Sequence, residues 1–221
     1  MSKKKELKVL IATPALHSVD ARFYQSMMSL NSIYPTSHAM EIGSLVYMAR
    51  NRLASTAVAH DFSHIVWLDS DMVFQSDTVT KLIDHAKTGK DFVTGLYFSR
   101  GFPMKPIVMQ EIIWDRKEDG KIVHGAKPYY DYPRDTMFEA AGCGFGCCIT
   151  SVEMVAHVAA AFGQSPFDPF PSLGEDYTFC WKAGKLGYKC WCDSRIKAGH
   201  VGEFIYDEEV YLENLPKEAT S

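Results

Sequence analysis

The chain has 221 residues, 47% of them hydrophobic and 23% charged, with a formal net charge of −4. This composition excludes a disordered polar chain and a broad basic surface for nucleic acid, and no apolar run approaches the ~20 residues of a membrane-spanning helix. It suits one globular domain with a substantial core. Lys3-Lys4-Lys5 reads as part of a basic tail over residues 1–6. The apolar run behind it, Val9 to Ala12 before Pro14, is too short for the apolar region of a signal peptide, so the cytoplasm is the expected location. Six cysteines (143, 147, 148, 180, 190 and 192) include no Cys-x-x-Cys pair, and small buried thiols are expected rather than a zinc site or a disulfide framework.

In chain order, residues 7–12 form a first strand, ended by Thr13-Pro14. A helix follows over 18–29 with Ser18 as its N-cap. Residues 30–43 read as a loop or short strand. The next helix spans 44–60, with Leu45, Ala49, Leu53 and Ala57 recurring every fourth residue on one face. Arg50 and Arg52 lie about 200° apart on that helix, so one is a candidate phosphate or nucleotide contact and the other a solvated charge. His64-Ile65-Val66-Trp67-Leu68 is an apolar run of the kind buried in a parallel sheet, and it leads into Asp69-Ser70-Asp71. Ser76-Asp77 caps a helix to Lys87, ended by Gly89, and 91–98 is another strand. Strands and helices thus alternate over 7–98, as they do in a parallel sheet covered on its faces.

The pattern changes after Arg100. Residues 106–113, Asp119-Gly120 and 121–124 read as a β-hairpin. Residues 125–135 read as a loop whose Tyr129, Tyr130 and Tyr132 are candidates for stacking on sugar rings. Strands at 137–141 and 147–150 flank a turn with Gly142, Gly144 and Gly146. Ser151 caps a helix to 162, and residues 163–173 form a proline-rich loop that covers a site or simply connects, with Phe167 to Pro171 expected to order when donor binds. Gly174-Glu175-Asp176 opens a helix to Lys185, Gly187 ends it, and 188–192 is a final short strand. The Gly-rich stretch 198–202 contains His200. From Glu203 the acidic end reads as a surface tail or weak helix.

Chemistry-bearing residues cluster at element ends. Asp-x-Asp after a buried strand places oxygen ligands at the sheet edge where α/β proteins bind ligands, and it suits a hard divalent cation. Glu175-Asp176 sits at a helix N-terminus, whose dipole favours carboxylates. If these acids and His200 meet at one edge, a metal site with a neighbouring general base results.

Taken in order, these segments resemble nucleotide-sugar-dependent glycosyltransferases of the GT-A fold, closest to glycosyltransferase family 2 and its small bacterial and phage-encoded relatives. The resemblance covers residues 7–202. It rests on Thr13-Pro14, Ala49-Arg50-Asn51-Arg52-Leu53, Asp69-Ser70-Asp71, Gly95-Leu96-Tyr97, the Gly142–Gly146 segment, Gly174-Glu175-Asp176, Gly187-Tyr188-Lys189 and Gly199-His200-Val201-Gly202. It implies an α/β fold with a mixed, mostly parallel central sheet, helices on its faces and a small hairpin region. A nucleotide-binding half would span 7–98, an acceptor and catalytic half 99–202, and an acidic tail 203–221. It further implies transfer of a sugar from a nucleotide-diphosphate donor to an acceptor hydroxyl, with inversion. Asp69, Asp71 and His200 would serve a Mn2+ or Mg2+ ion. Thr13, Pro14, Arg50, Asp69 and Ser70 would hold the donor, a UDP-sugar ahead of a GDP-sugar. Asp176, beside Glu175, would be the general base, and Gly142 and Gly144 would line the sugar and acceptor pocket. The chain lacks the acceptor-binding extension of longer family-2 enzymes, so processive polymer synthesis is not expected.

The acceptor stays open among a glycan, a protein, a lipid-linked sugar, a small molecule and a modified nucleic acid, as does the oligomeric state. A phage-encoded relative would act in the host cytoplasm. Two alternatives remain. A sugar-nucleotide nucleotidyltransferase is disfavoured because residues 12–19 lack glycine and lysine. A non-catalytic carbohydrate- or protein-binding module on the same scaffold would bind no nucleotide with Mn2+.

Overall fold

The computed structural model describes residues 7–163, 165–203 and 205–215. The expected basic tail, 1–6, lies outside the described residues. The elements run β1 (Val9–Ala15), α1 (Ala21–Met28), β2 (Thr36–Ile42), α2 (Val46–Ala59), β3 (His64–Leu68), β4 (Met72–Phe74), α3 (Thr78–Lys87) and β5 (Phe92–Leu96). There follow β6 (Val108–Arg116), β7 (Ile122–Pro128), β8 (Met137–Ala140), β9 (Gly142–Cys143), β10 (Cys147–Ser151), α4 (Val152–Phe162), α5 (Glu175–Lys185), β11 (Cys190–Val201), β12 (Ile205–Tyr206) and α6 (Glu208–Glu213).

The larger sheet has the order β12-β11-β5-β10-β3-β1-β2, with β4 and β8 pairing β11 off that path. β2, β1 and β3 pair in parallel, as do β5 and β11; β10 is antiparallel to both its neighbours, β3 and β5. The sheet is therefore mixed, with its principal strands parallel. A second, antiparallel sheet, β7-β6-β9, stands apart.

The run Ile65–Leu68 is apolar at every position because both sheet faces are covered. Ile65 and Trp67 pack with Leu53, Ala54 and Ala57 of α2, Val155 and Val158 of α4 and Phe179 of α5. Val66 and Leu68 pack with Phe23 of α1 and Val79, Leu82 and Ile83 of α3. Trp67 is wholly buried, and its indole N–H donates to Thr150 Oγ1 at 2.9 Å. Burying a side chain of this class contributes ~1.5–3 kcal/mol, which falls only if the polar N–H is paired.

Several expectations need correction. Thr13-Pro14 does not end β1, which continues to Ala15 against β2. Its pairing with β3 stops at Ala12, so Pro14 lies where β1 has lost one neighbour and a missing N–H is tolerated. The cap of α1 is Asp20, whose side chain accepts from the Arg22 N–H, not Ser18. Residues 125–128 extend the hairpin strand β7 rather than a loop. The final strand is β11, twelve residues long, with a register shift between Asp193 and Lys197. The acidic end carries β12 and the short α6, whose Tyr211 stacks on Phe98 in a third apolar cluster. Tyr132 is buried there and donates to Glu208 Oε1 at 3.0 Å, which removes it as a sugar platform; Tyr130 stays exposed. The Ser151 cap is as expected, accepting from the Met154 N–H at 3.1 Å. All six cysteines are free and buried.

Candidate active site

The acidic ends of β3 and α5 meet across one arginine. Asp69 leaves β3 with its N–H donating to the Gly146 carbonyl, 3.1 Å away. Arg50, on α2, lies on the same helix face as Leu53, Ala54 and Ala57 and is 2% exposed. Its Nη2 donates to both Asp69 oxygens, at 2.9 and 3.2 Å, and its Nε donates to Glu175 Oε1 at 3.4 Å. The guanidinium also faces the rings of Trp67 and Phe145, 5.9 and 5.5 Å from their centroids. Burial opposes its charge, but Asp69, Glu175 and Asp176 more than reverse that, and its pKa lies above the ordinary arginine value. Arg50 is therefore an internal counter-ion behind the cleft.

A second meeting is set by sheet register. The Met72–Asp69 turn brings β4 back antiparallel to β11, with Met72 opposite His200, and the Val201 N–H donates to the Asp71 carbonyl at 2.8 Å. His200 Nε2 then lies 3.4 Å from Asp71 Oδ2. Its Nδ1 lies 3.1 Å from the Phe98 carbonyl, which can only accept, so Nδ1 carries a proton and Nε2 is turned to the carboxylate. Arg100 Nη1 reaches the same Asp71 oxygen at 3.1 Å. Burial would raise the Asp71 pKa, but the His200 hydrogen bond and the charges of His200 and Arg100 outweigh it and hold the group below 3.8. Asp69 is shifted the opposite way: burial raises it, aided by Asp71 and Glu175, against the pull of Arg50.

At the start of α5, Asp176 is half-buried, and one of its oxygens accepts the Tyr177 N–H at 2.7 Å. Burial, then the neighbouring Glu175 charge, raises its pKa to about 7. The proline-rich loop before α5 is tied down. Phe167 is wholly buried against Trp67, Phe145 and Phe179. Asn51 accepts the Phe167 N–H and donates to Asp168 Oδ1, while the buried Lys182 donates to the carbonyls of Pro166 and Asp168. These contacts pack the loop as a wall beside α5.

Two adjoining clefts open at this edge. One, of about 460 Å³, is lined by Pro14, Leu16, Leu45, Val46 and the Asp69–Asp71 segment with His200. The other, of about 540 Å³, holds His17, Ser18, Asp20 and Gly202. Leu16, Ser70, Asp71 and Arg100 belong to both. A larger cleft, about 910 Å³ beside His64 and Val152, lies at the opposite end of β3, away from the acidic pairs, and has no part in this site.

No protein-family profile matches the chain, and no curated protein sequence matches it. Solved structures do. The A197 protein of STIV superposes with a TM-score of 0.60 over 89% of this chain and 86% of its own, at 16% identity. GalNAc-T7, solved with UDP, GalNAc and Mn2+, superposes with a TM-score of 0.58 over 90% of this chain, at 10% identity. The chain has the GT-A fold. It spans 45% of the length of GalNAc-T7. Among the described residues, no helix is long and apolar enough to cross a membrane.

Within this GT-A fold the expected site residues separate into two groups. Pro14, Asp69, Ser70, Asp71 and His200 line one cleft, and Glu175 is linked to Asp69 through Arg50. Thr13 is wholly buried with its Oγ1 3.0 Å from His38 Nε2, so it faces β2 rather than the cleft. Arg50 bonds Asp69 and Glu175 through Nη2 and Nε, while its buried Nη1 has no hydrogen-bond partner among the described residues; Arg52 is the solvated charge, bonded to Glu41 and Ser44. Gly142 and Gly144 line neither cleft. A Cβ on Gly142 would lie 2.5 Å from both Cys180 Cβ and Ile112 Cδ1, and one on Gly144 2.3 Å from the Tyr97 hydroxyl. Those glycines admit close packing of β9, α5 and Tyr97. Arg100 and Asp20 are charged residues lining the clefts that no sequence motif marked.

Proposed function

We propose that the chain is a metal-dependent glycosyltransferase that moves a sugar from a nucleoside diphosphate, UDP ahead of GDP, to an acceptor hydroxyl with inversion. The observation that carries this reading is the convergence of Asp71 and His200 at the mouth of a cleft that also holds Asp69. His200 Nε2 and Asp71 Oδ2 lie 3.4 Å apart, and with Nδ1 already committed to Phe98, Nε2 is the nitrogen that would exchange a proton for a cation shared with Asp71. Among the described residues, no group of three or more His, Cys, Asp or Glu side chains is placed to hold an ion. Asp71 and His200 would hold Mn2+ or Mg2+ together with the substrate's phosphates. When bound, such a cation offsets the charge that grows on the departing diphosphate.

The chain's own residues supply the rest. Asp69, fixed by Arg50, presents its open edge to the donor's ribose. Leu16, Leu45 and Val46 give the cleft an apolar wall for a nucleobase. Asp176 accepts the proton of the acceptor hydroxyl as its oxygen bonds to the anomeric carbon and the bond to diphosphate breaks. A base with a pKa of about 7 is well matched to that task, a contribution typically worth ~10²–10⁴-fold.

Thermal denaturation against UDP, GDP, CMP and dTDP, with and without Mn2+, tests the reading. One nucleotide is expected to raise the midpoint only with metal, and Asp71→Asn to abolish the rise; at 100 times the dissociation constant, binding adds ~2.7 kcal/mol. Asp176→Asn is expected to keep that shift and lose transfer. A panel in which no nucleotide stabilises the chain would sink the proposal in favour of a binding module.

A further inference from the structure

We propose that Arg100 and the divalent cation compete for one oxygen of Asp71, and that cation uptake hands Arg100 to the donor's diphosphate. The inference rests on the glycosyl-transfer reading and adds a leaving-group contact to it. Arg100 Nη1 and His200 Nε2 both address Asp71 Oδ2, at 3.1 and 3.4 Å. A cation bridging Asp71 and His200 at that oxygen displaces the guanidinium.

Arg100 is built to be displaced without being lost. Its side chain is 54% exposed, so it swings through solvent rather than through the core. Its loop is closed at the neck. The Ser99 N–H donates to the Lys105 carbonyl at 2.8 Å, the Lys105 N–H to Ser99 Oγ at 3.0 Å, and Phe98 bridges Pro106. Gly101 takes the tight turn at φ 88°. On the other side Arg100 Cδ lies at ordinary contact distance, 3.5 Å, from where a Cβ at residue 202 would stand; the close neighbour there is the Tyr206 ring, at 2.6 Å.

The charge balance says where the guanidinium goes. Among the described residues lining the two clefts, Arg100 is the one arginine or lysine. Asp20 and Asp69 are already paired, with Arg22 and Arg50, so the ion pair free to exchange partners is Asp71 with Arg100. A departing diphosphate gains charge that a divalent cation shared with Asp71 does not fully offset, and a second cationic partner stabilises it. A guanidinium offers parallel N–H donors to phosphate oxygens, and its hold strengthens as the leaving group gains charge. Arg100 belongs to both clefts and lies beside the ion-binding oxygen.

Two measurements on the wild type, Arg100→Gln and Arg100→Lys test this, with equal thermal midpoints as the control for folding. Electron paramagnetic resonance of free Mn2+ reads metal uptake without nucleotide. Calorimetry with saturating Mn2+ reads UDP and UMP. Arg100→Gln is expected to bind Mn2+ alone more tightly, by up to about fivefold, since an exposed ion pair no longer competes. The same variant is expected to bind UDP about tenfold or more weakly, with a smaller loss for UMP, and Arg100→Lys to fall between. A merely structural arginine would not move the two affinities in opposite directions. Equal or weaker Mn2+ uptake by Arg100→Gln, or unchanged UDP affinity, overturns the inference while leaving glycosyl transfer standing. A wild type that binds no nucleoside diphosphate overturns the glycosyl-transfer reading and this inference with it.

Discussion

Arg50 carries a positive charge into the core between β3 and α5, where two carboxylates and two aromatic rings enclose it. Removing one partner of a buried pair leaves the other charges uncompensated, which typically costs ~3–5 kcal/mol. Arg50→Met is therefore expected to lose stability on that order in urea denaturation, while Arg52→Met, at the exposed end of a surface pair, changes it by ~1 kcal/mol or less. Asp176 couples the site to pH in the opposite sense from most carboxylates. Its folded pKa of about 7 exceeds the ordinary 3.8, so between those values the native chain holds a proton that the unfolded chain has released. Its contribution to stability is full below the lower value, falls as pH rises, and is gone above about 7. Asp176→Asn is expected to flatten that slope, to gain on the wild type in denaturation midpoint as pH rises from 3.8 towards about 7, and to hold that gain above it. Transfer by the wild type is expected to rise over the same interval, as the base ionises. The sequence displayed Arg50 on the apolar stripe with Leu53, Ala54 and Ala57. That spacing is the mark of a buried side chain, but it reads equally as a helix face turned to a ligand.

At the scale of elements, the loop before α5 is held by side chains from two helices. Asn51 serves the Phe167 N–H and Asp168, and Lys182 the carbonyls of Pro166 and Asp168. Asn51→Ala leaves a backbone donor without its partner at a cost of ~1–3 kcal/mol. The expected outcome is faster limited proteolysis within residues 165–173, with or without nucleotide; an unchanged cleavage rate would show that Phe167 packing alone holds the loop. Much of this was legible in the sequence, because local rules suffice for it. The apolar run at 65–68 required covered sheet faces, Ser151 announced α4, and Gly174 preceded α5. What was not legible depends on pairing between distant segments. Nothing near His200 indicates that it will lie opposite Met72, since β4 is only three residues long and finds its partner far along the chain. The loop at 99–105 has no periodicity to mark Arg100, and its role follows only from where β5 and β11 leave it.

At the scale of the whole molecule, the GT-A likeness concerns backbone arrangement, while the chemistry belongs to side chains gathered at one edge. The inverted strand β10 has a consequence for how the chain is put together. β3 and β5 share no hydrogen bonds with one another; each pairs with β10. Until residue 151 has been synthesised, the first half of the protein has one piece of sheet, β2-β1-β3, and β5 has no strand to pair with, since its neighbours β10 and β11 both come later. Residues 7–98, whose alternating pattern is that of a covered parallel sheet, are therefore expected to have no cooperative melting transition when expressed alone, and to gain one when a fragment reaching through β10 and α4 is added in trans. Assembly then waits on the second half, and the corner where Asp71 meets His200 matures last, because His200 arrives on the final long strand.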